Sequence, residues 1–461
     1  MIPPLPKTTR QRRGTWTTIA LLTLAGLGLR ILAARGGLWL DEAWSAVVAQ
    51  DVGTPAGVFV RINHDNNHHL NSLWLQWVGS TAPPLLQRAL SIVTSAATIP
   101  IAAAIALRRG PASAILAAIA FALSPFLVTL GSEARGYAPM LLAWVAAIGV
   151  ADRWLAEPAA PPAAIAIALA AVFGCLSQAT MVFGLTALGI WVLVEQWRLV
   201  GFRRAMQATL RLFLPAATAV LLLIAIAWTA AATSQAGFQF GAREPHDAAK
   251  WLLALEQLWA WSVGFWVIAP VVVLSAGIVR DRFIGLVLLS AIGLPLAVAL
   301  LALPNSGAAR YYIIAVPPLL LLASISLPAL WTKRQVWRLP ILVAGAVFCW
   351  KAIERDVALV ENLRGDPSRA VRTLAAVAPD GAAVSVALSR STAILKAAAR
   401  SQRYSLTIAD SPCARFRFIE RDGNNPFPDP LVRCGRRYGE IARGDPTGLS
   451  GSHWRLYARA R

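Results

Sequence analysis

Leu212–Ala232, LFLPAATAVLLLIAIAWTAAA, runs for twenty-one residues without a charge. A helix of that length, at about 1.5 Å per residue, crosses the ~30 Å hydrocarbon core of a bilayer. Working outward from it, the same apolar texture recurs over most of the chain. Candidate spans lie at about 15–34, 86–107, 111–130, 137–155, 162–176, 179–197, 211–233, 257–279, 283–303, 311–331 and 340–354. The sequence therefore predicts a polytopic α-helical membrane protein with about eleven transmembrane helices. The basic stretch Lys7, Arg10, Arg12, Arg13 precedes the first run. Ala33–Ala34 would suit signal cleavage, but the run is long for a signal peptide and polar, chemistry-bearing residues follow at once, so it reads as an uncleaved span.

Composition agrees. Hydrophobic residues make up 57% of the 461 positions and charged residues 14%, too few to solvate a soluble surface of this length. The net charge of +20 does not indicate nucleic acid, because the basic residues form no single patch. They fall between spans, as Lys and Arg of cytoplasmic loops do. With the N-terminus cytoplasmic, the inward gaps hold Arg108–Arg109, Arg153, Arg198/Arg203/Arg204/Arg211, Arg280/Arg282 and Lys333/Arg334/Arg338. This arrangement places residues 355–461 outside an inner (plasma) membrane.

The outward gaps hold the polar chemistry. The first, 35–85, opens with Leu38-Trp39-Leu40-Asp41-Glu42-Ala43-Trp44-Ser45. Its apolar positions (Ala43, Trp44, Val47, Val48; then Leu70, Leu73, Trp74, Trp77) are spaced as on amphipathic helices lying in the interface. The plainer reading of the two carboxylates is a helix start, Asp41 as the cap and Glu42 in the first turn. Further along come Asn63-His64-Asp65-Asn66-Asn67-His68-His69-Leu70-Asn71. His64, Asp65 and His68 have spacing that would suit a divalent metal, and the Asn-rich setting equally suits the polar lining of a pocket for a polyhydroxylated ligand. Between two spans lies Ser132-Glu133-Ala134-Arg135-Gly136-Tyr137, read plainly as a local ion pair; Arg135 also has the planar fork that grips phosphate. Arg310-Tyr311-Tyr312 opens a span from the outer side, either as an interfacial anchor or as a contact to lipid phosphate. No span carries an evident charged relay in its middle, which favours a reaction at the membrane surface over transport through it.

Residues 1–354 thus read as a membrane domain and 355–461 as an extracytoplasmic α/β domain. Strands are expected at Ala382–Ala387, Ser405–Ile408 and Trp454–Ala458, with a helix at Ser391–Arg400. Cys175 and Cys349 sit in apolar runs as small core residues. Cys413 and Cys434 lie in the polar tail, where export would allow a disulfide; two buried thiols are the alternative.

These segments resemble the GT-C glycosyltransferases, in the branch holding protein O-mannosyltransferases and aminoarabinose–lipid A transferases. In that family an Asp-Glu pair follows the first span, as Asp41-Glu42 does. A His-Pro-Pro-Leu or Asn-His-Pro-Leu element comes later in the same loop, where this chain has Asn67-His68-His69-Leu70, with His69 in place of Pro. A Glu-Ala-Arg-x-Tyr turn is matched by Glu133-Ala134-Arg135-Gly136-Tyr137, and an Arg-Tyr pair before a Pro-Pro by Arg310-Tyr311 and Pro317-Pro318. The resemblance covers about residues 15–330.

It implies transfer of a sugar from a polyprenyl-phosphate donor to a lipid, glycan or protein acceptor on the outer face, with inversion and among membrane lipids. Asp41 would be the base, with Glu42 and Glu133 orienting it or the acceptor. Arg135, Arg310 and Tyr311 would hold the donor phosphate, and Asn67, His68, Asn71 and Tyr137 the substrate. The resemblance makes no cofactor certain and leaves a divalent metal open. A lipid-linked oligosaccharide flippase or polymerase is the competing reading. Either way, Asp41, Glu133 and Arg310 are expected to meet beside the bilayer.

Overall fold

The computed structural model describes residues 9–62, 68–157, 160–232, 244–262, 274, 276–421 and 425–460. Among these, eight helices are long and apolar enough to cross a membrane, and a ninth is a bent pair, Pro111–Leu123 with Pro125–Gly131. Ala164–Ser177 is a further, shorter apolar helix, and most of the expected span 257–279 lies outside the described residues.

The bend of 55° in the ninth has a local cause. Pro125 has no N–H to offer the Phe121 carbonyl one turn earlier. Arg30, fully buried on the first span Thr9–Ala33, takes its place. Its guanidinium donates to the carbonyls of Phe121 at 2.9 Å and Ala122 at 3.2 Å, and to the Ser95 hydroxyl at 2.7 Å.

Polar groups collect at the two ends of the bundle. At one end Asp152 is fully buried and accepts from Arg109 at 2.5 and 2.7 Å and from Arg282 at 2.7 Å, joining three segments distant in sequence. The helix Tyr137–Ala156 carries Asp152 about 22 Å from Tyr137 at the other end. There the first polar loop folds into helices Leu40–Asp51, Pro55–Val60 and His69–Val78. The apolar face of the first of these is not given to lipid. Ala43, Ala46 and Ala49 join Leu374, Ile394, Leu395 and Phe418 of the tail in one cluster. Trp77, 78% exposed on the third, keeps the surface position expected of an interfacial residue.

The helix of the last span runs unbroken from Arg338 to Asn362, past residue 354, before the chain enters the tail. Strands β1 (Ala382–Val386), β2 (Leu406–Ile408), β3 (Phe416–Arg421), β4 (Leu431–Arg433), β5 (Arg436–Gly444) and β6 (His453–Arg459) form one sheet, in the order β2-β1-β3-β6-β5-β4. β1 is parallel to β2 and β3, and the remaining pairs are antiparallel. The helix Ser391–Gln402 makes the β1–β2 crossover. The tail is tied to the bundle by buried polar bonds: Arg364 donates to the Ala33 carbonyl at 2.7 Å and the Ser132 hydroxyl at 2.6 Å, and the Gly37 amide donates to Asp366 at 2.8 Å.

A disulfide joins Cys413 to Cys434, Cα to Cα 6.0 Å, across a separation of 21 residues. Closing a loop of that length lowers unfolded-chain entropy by an amount equivalent to about 3 kcal/mol. Cys413→Ser should therefore lower the melting temperature under oxidising conditions and leave it unchanged under reducing ones; equal melting of both proteins in oxidant would contradict a stabilising bond.

Candidate active site

The helix Leu40–Asp51 starts two residues earlier than a cap at Asp41 requires. Trp39 holds the cap position, and it is Glu42, at the third helical position, whose carboxylate reaches back to the Trp39 amide at 3.1 Å. Glu42 is fully buried, and so is Arg88 facing it. Arg88 Nε donates to Glu42 Oε1 at 2.8 Å and Nη2 to Oε2 at 2.5 Å, while the Ala134 amide reaches Oε1 at 2.6 Å. The remaining Arg88 donors bind the carbonyls of Ala34, Gly36 and Gly37 at 2.7, 2.9 and 2.9 Å. Burial drives the Glu42 carboxyl up, but Arg88 outweighs it and holds the group below the usual glutamate range. Glu42 is thus the pin that fixes the loop to the bundle.

Its neighbour is turned outward. One helical position back, Asp41 keeps 24% of its side chain exposed and receives two guanidinium groups: Arg135, and Arg310 at 2.9 Å. Burial again pushes the carboxyl up, and the charges of Arg135 and Arg310 more than reverse it, leaving Asp41 below the ordinary aspartate range.

Behind this pair stands His68, 2% exposed. Its Nδ1 lies 3.1 Å from the Ser177 carbonyl, so Nδ1 carries the proton, and its Nε2 accepts from Arg135 at 3.1 and 3.3 Å. Burial and the Arg135 charge hold His68 well below the usual imidazole range, neutral and available as an acceptor. Gly136 makes this possible, since a Cβ there would run into the Ser177 carbonyl. Tyr137 packs edge-on to His68 at 5.1 Å and under Arg135 at 5.4 Å. Arg310 lies over Tyr311 at 5.7 Å.

Asp41, Arg135, Arg310, His68, Tyr137 and Tyr311 therefore come together. Glu133 does not join them. It is buried, 3.7 Å from Arg364, and burial raises its carboxyl above the ordinary range against the pull of Arg364. In place of the expected Glu133–Arg135 ion pair each side chain takes a partner from elsewhere, Glu133 with Arg364 and Arg135 with Asp41. Asn71 is likewise buried, holding the Ala134 carbonyl at 2.7 Å. His69 stacks on Phe59 at 5.2 Å. Asn67, His64 and Asp65 lie outside the described residues, and among the described residues no three His, Cys, Asp or Glu side chains are grouped to hold a metal. Arg88 and Arg364, which complete this end of the bundle, were not singled out from sequence.

This end-to-end arrangement is the fold of solved membrane-protein structures. In particular, the chain is similar to ArnT from Cupriavidus metallidurans in the apo state, with a TM-score of 0.57 and 12% identity over 95% of this chain and 97% of that one. It is also similar to the same enzyme bound to undecaprenyl phosphate, with a TM-score of 0.54 and 12% identity over 96% and 97%. At that identity the likeness is one of fold. No family model matches the chain, and no curated protein matches its sequence.

Removing one partner of a fully buried ion pair costs on the order of 3–5 kcal/mol, since the other charge stays buried unpaired. Glu42→Gln should therefore depress the melting temperature strongly, and Asp41→Asn much less, because Asp41 and Arg310 retain contact with solvent. Equal losses in the two variants would contradict this division of roles.

Proposed function

We propose that this chain is a glycosyltransferase of the inner (plasma) membrane. It moves one sugar from a polyprenyl-phosphate donor to an acceptor on the extracytoplasmic face, where the C-terminal sheet also lies. The observation that carries the reading is the partly exposed Asp41 carboxylate between Arg135 and Arg310, set where the first span meets the outer loop. The fold shared with a protein that binds undecaprenyl phosphate supports the donor class.

Two guanidinium groups side by side repel one another unless an anion lies between them. In the free protein that anion is Asp41. A donor phosphate diester offers a second anion of matching geometry. When it docks, Arg135 and Arg310 turn to the phosphate oxygens, and Asp41 loses the charges that depress its basicity. The acceptor hydroxyl then attacks the anomeric carbon and passes its proton to Asp41. The bond from that carbon to the phosphate oxygen breaks, and its electron pair leaves with the polyprenyl phosphate. Charge grows on the phosphate as the bond breaks, and the two arginines stabilise it. A single displacement inverts the anomeric centre. His68, kept neutral, aligns Arg135 without competing for the anion.

Asp41→Asn should abolish transfer of label from undecaprenyl-phosphate sugars while the protein still expresses and binds the lipid; retained turnover would refute the base, and loss of lipid transbilayer movement instead would favour a flippase. The pH dependence follows from the same geometry. Because the Asp41 carboxyl is depressed in the free protein, kcat/KM for the donor should hold down to a pH below the ordinary aspartate range and fall only there. The acid limb of kcat, which reports the donor-bound state, should lie at higher pH; coincident limbs would contradict the exchange of partners.

A further inference from the structure

A cleft lies on the C-terminal sheet, lined by none of the residues of the Asp41 cluster. Residues 382–461 carry fourteen Lys and Arg against six Asp and Glu, an excess with no outer-loop topology rule to explain it. Much of it is gathered by strand alternation. Along β3 the side chains of Phe416 and Phe418 enter the apolar cluster shared with the helix Ser391–Gln402 and the outer-loop helix Leu40–Asp51. Arg417, Ile419 and Arg421 take the opposite face. There a cleft of about 620 Å³ opens, lined by these three together with Arg390, Glu420 and Arg433 among others.

The charges of this cleft do not cancel. Glu420 is taken by Arg390, both contacts at 3.1 Å. Among the described residues no carboxylate pairs with Arg417, Arg421 or Arg433. Arg421 donates to the Pro426 carbonyl and lies over the Phe427 ring at 5.5 Å, which fixes its direction without neutralising it. Arg417 is the telling residue. It is only 9% exposed, its Nη1 makes one long contact of 3.4 Å to the Ser385 hydroxyl, and its Nε is buried with no partner. A guanidinium withdrawn from water with an open N–H is costly. The cost is recovered when an anion enters.

We infer that this cleft binds an oxyanion, phosphate or carboxylate, carried by a water-soluble saccharide. Arg417 sits at the floor and Arg433 at the rim. Ile419, Leu431 and the prolines at 428 and 430 offer the apolar wall against which a sugar ring packs. The cleft lies on the face of the sheet opposite the helix Ser391–Gln402 and the helix Leu40–Asp51 packed on it. The inference stands whether or not Asp41 transfers a sugar.

The test uses the full-length protein in detergent, in an Arg310→Gln background so that the outer-face arginine pair does not contribute. Calorimetric titration with glucose 1-phosphate should show binding, and glucose should show none. Arg417→Gln and Arg433→Gln should each weaken the phosphate ester roughly tenfold or more, the scale of one charged hydrogen bond to an anion. Arg433 is exposed, so that variant decides the matter if Arg417→Gln fails to fold. Absence of binding, affinity unchanged in Arg433→Gln, or binding of dihexanoyl phosphatidylglycerol without glucose 1-phosphate would each overturn the inference.

Discussion

The buried pair Glu42–Arg88 governs the architecture of the end of the bundle that carries Asp41. A carboxylate and a guanidinium taken wholly out of water persist only if nearly every donor and acceptor is used. Here Glu42 accepts from Arg88, Trp39 and Ala134, and Arg88 spends its other donors on three carbonyls just after the first span. The start of the loop at residues 34–42, the start of the span Ala89–Leu107 and the Glu133–Arg135 turn are thereby locked in one register. Helical geometry does the rest: with Glu42 fixed inward, the preceding residue must point elsewhere, and Asp41 is delivered to the surface between two arginines. Adjacent, chemically similar carboxylates thus acquire opposite roles through their environments.

The tail is part of the same construction. Arg364 carries it into the Asp41 end of the bundle, reaching Ala33, Thr129 and Ser132 at 2.7, 2.9 and 2.6 Å, and the ion pair of Glu133 is with it. The alanine-lined face of Leu40–Asp51 packs on the helix of the β1–β2 crossover. The helix that presents Asp41 is therefore held from both sides, by the bundle through Glu42 and by the tail through its apolar face. Such support suits the base proposed at Asp41, because catalysis tolerates little displacement of a reacting group.

Much of this was legible from the sequence because apolar periodicity and loop charge are strong signals in a membrane chain. The spans, the amphipathic helices of the loop after the first span and several elements of the tail, including the crossover helix, follow from it. So does the meeting of Asp41, Arg135 and Arg310, through the resemblance. What escaped was partner choice. Glu133 and Arg135 are two residues apart and read as a pair, yet a turn sends them to different neighbours. Arg88 sits at the mouth of an apolar run, where an interfacial anchor has the same appearance as half of a buried clamp. Arg364 lies in a stretch with no motif. β3, β4 and β5 were missed because arginines interrupt their apolar alternation, and the arginines of β3 are the ones that line the second cleft.

The central claim is that Asp41 and a donor phosphate are rivals for the same two guanidinium groups. It is tested most directly by measuring the affinity of undecaprenyl phosphate for the wild-type protein, Asp41→Asn and Arg310→Gln. Removing the resident anion should tighten lipid binding in Asp41→Asn, and removing a guanidinium should weaken it in Arg310→Gln. An affinity that is unchanged or weaker in Asp41→Asn would contradict the account.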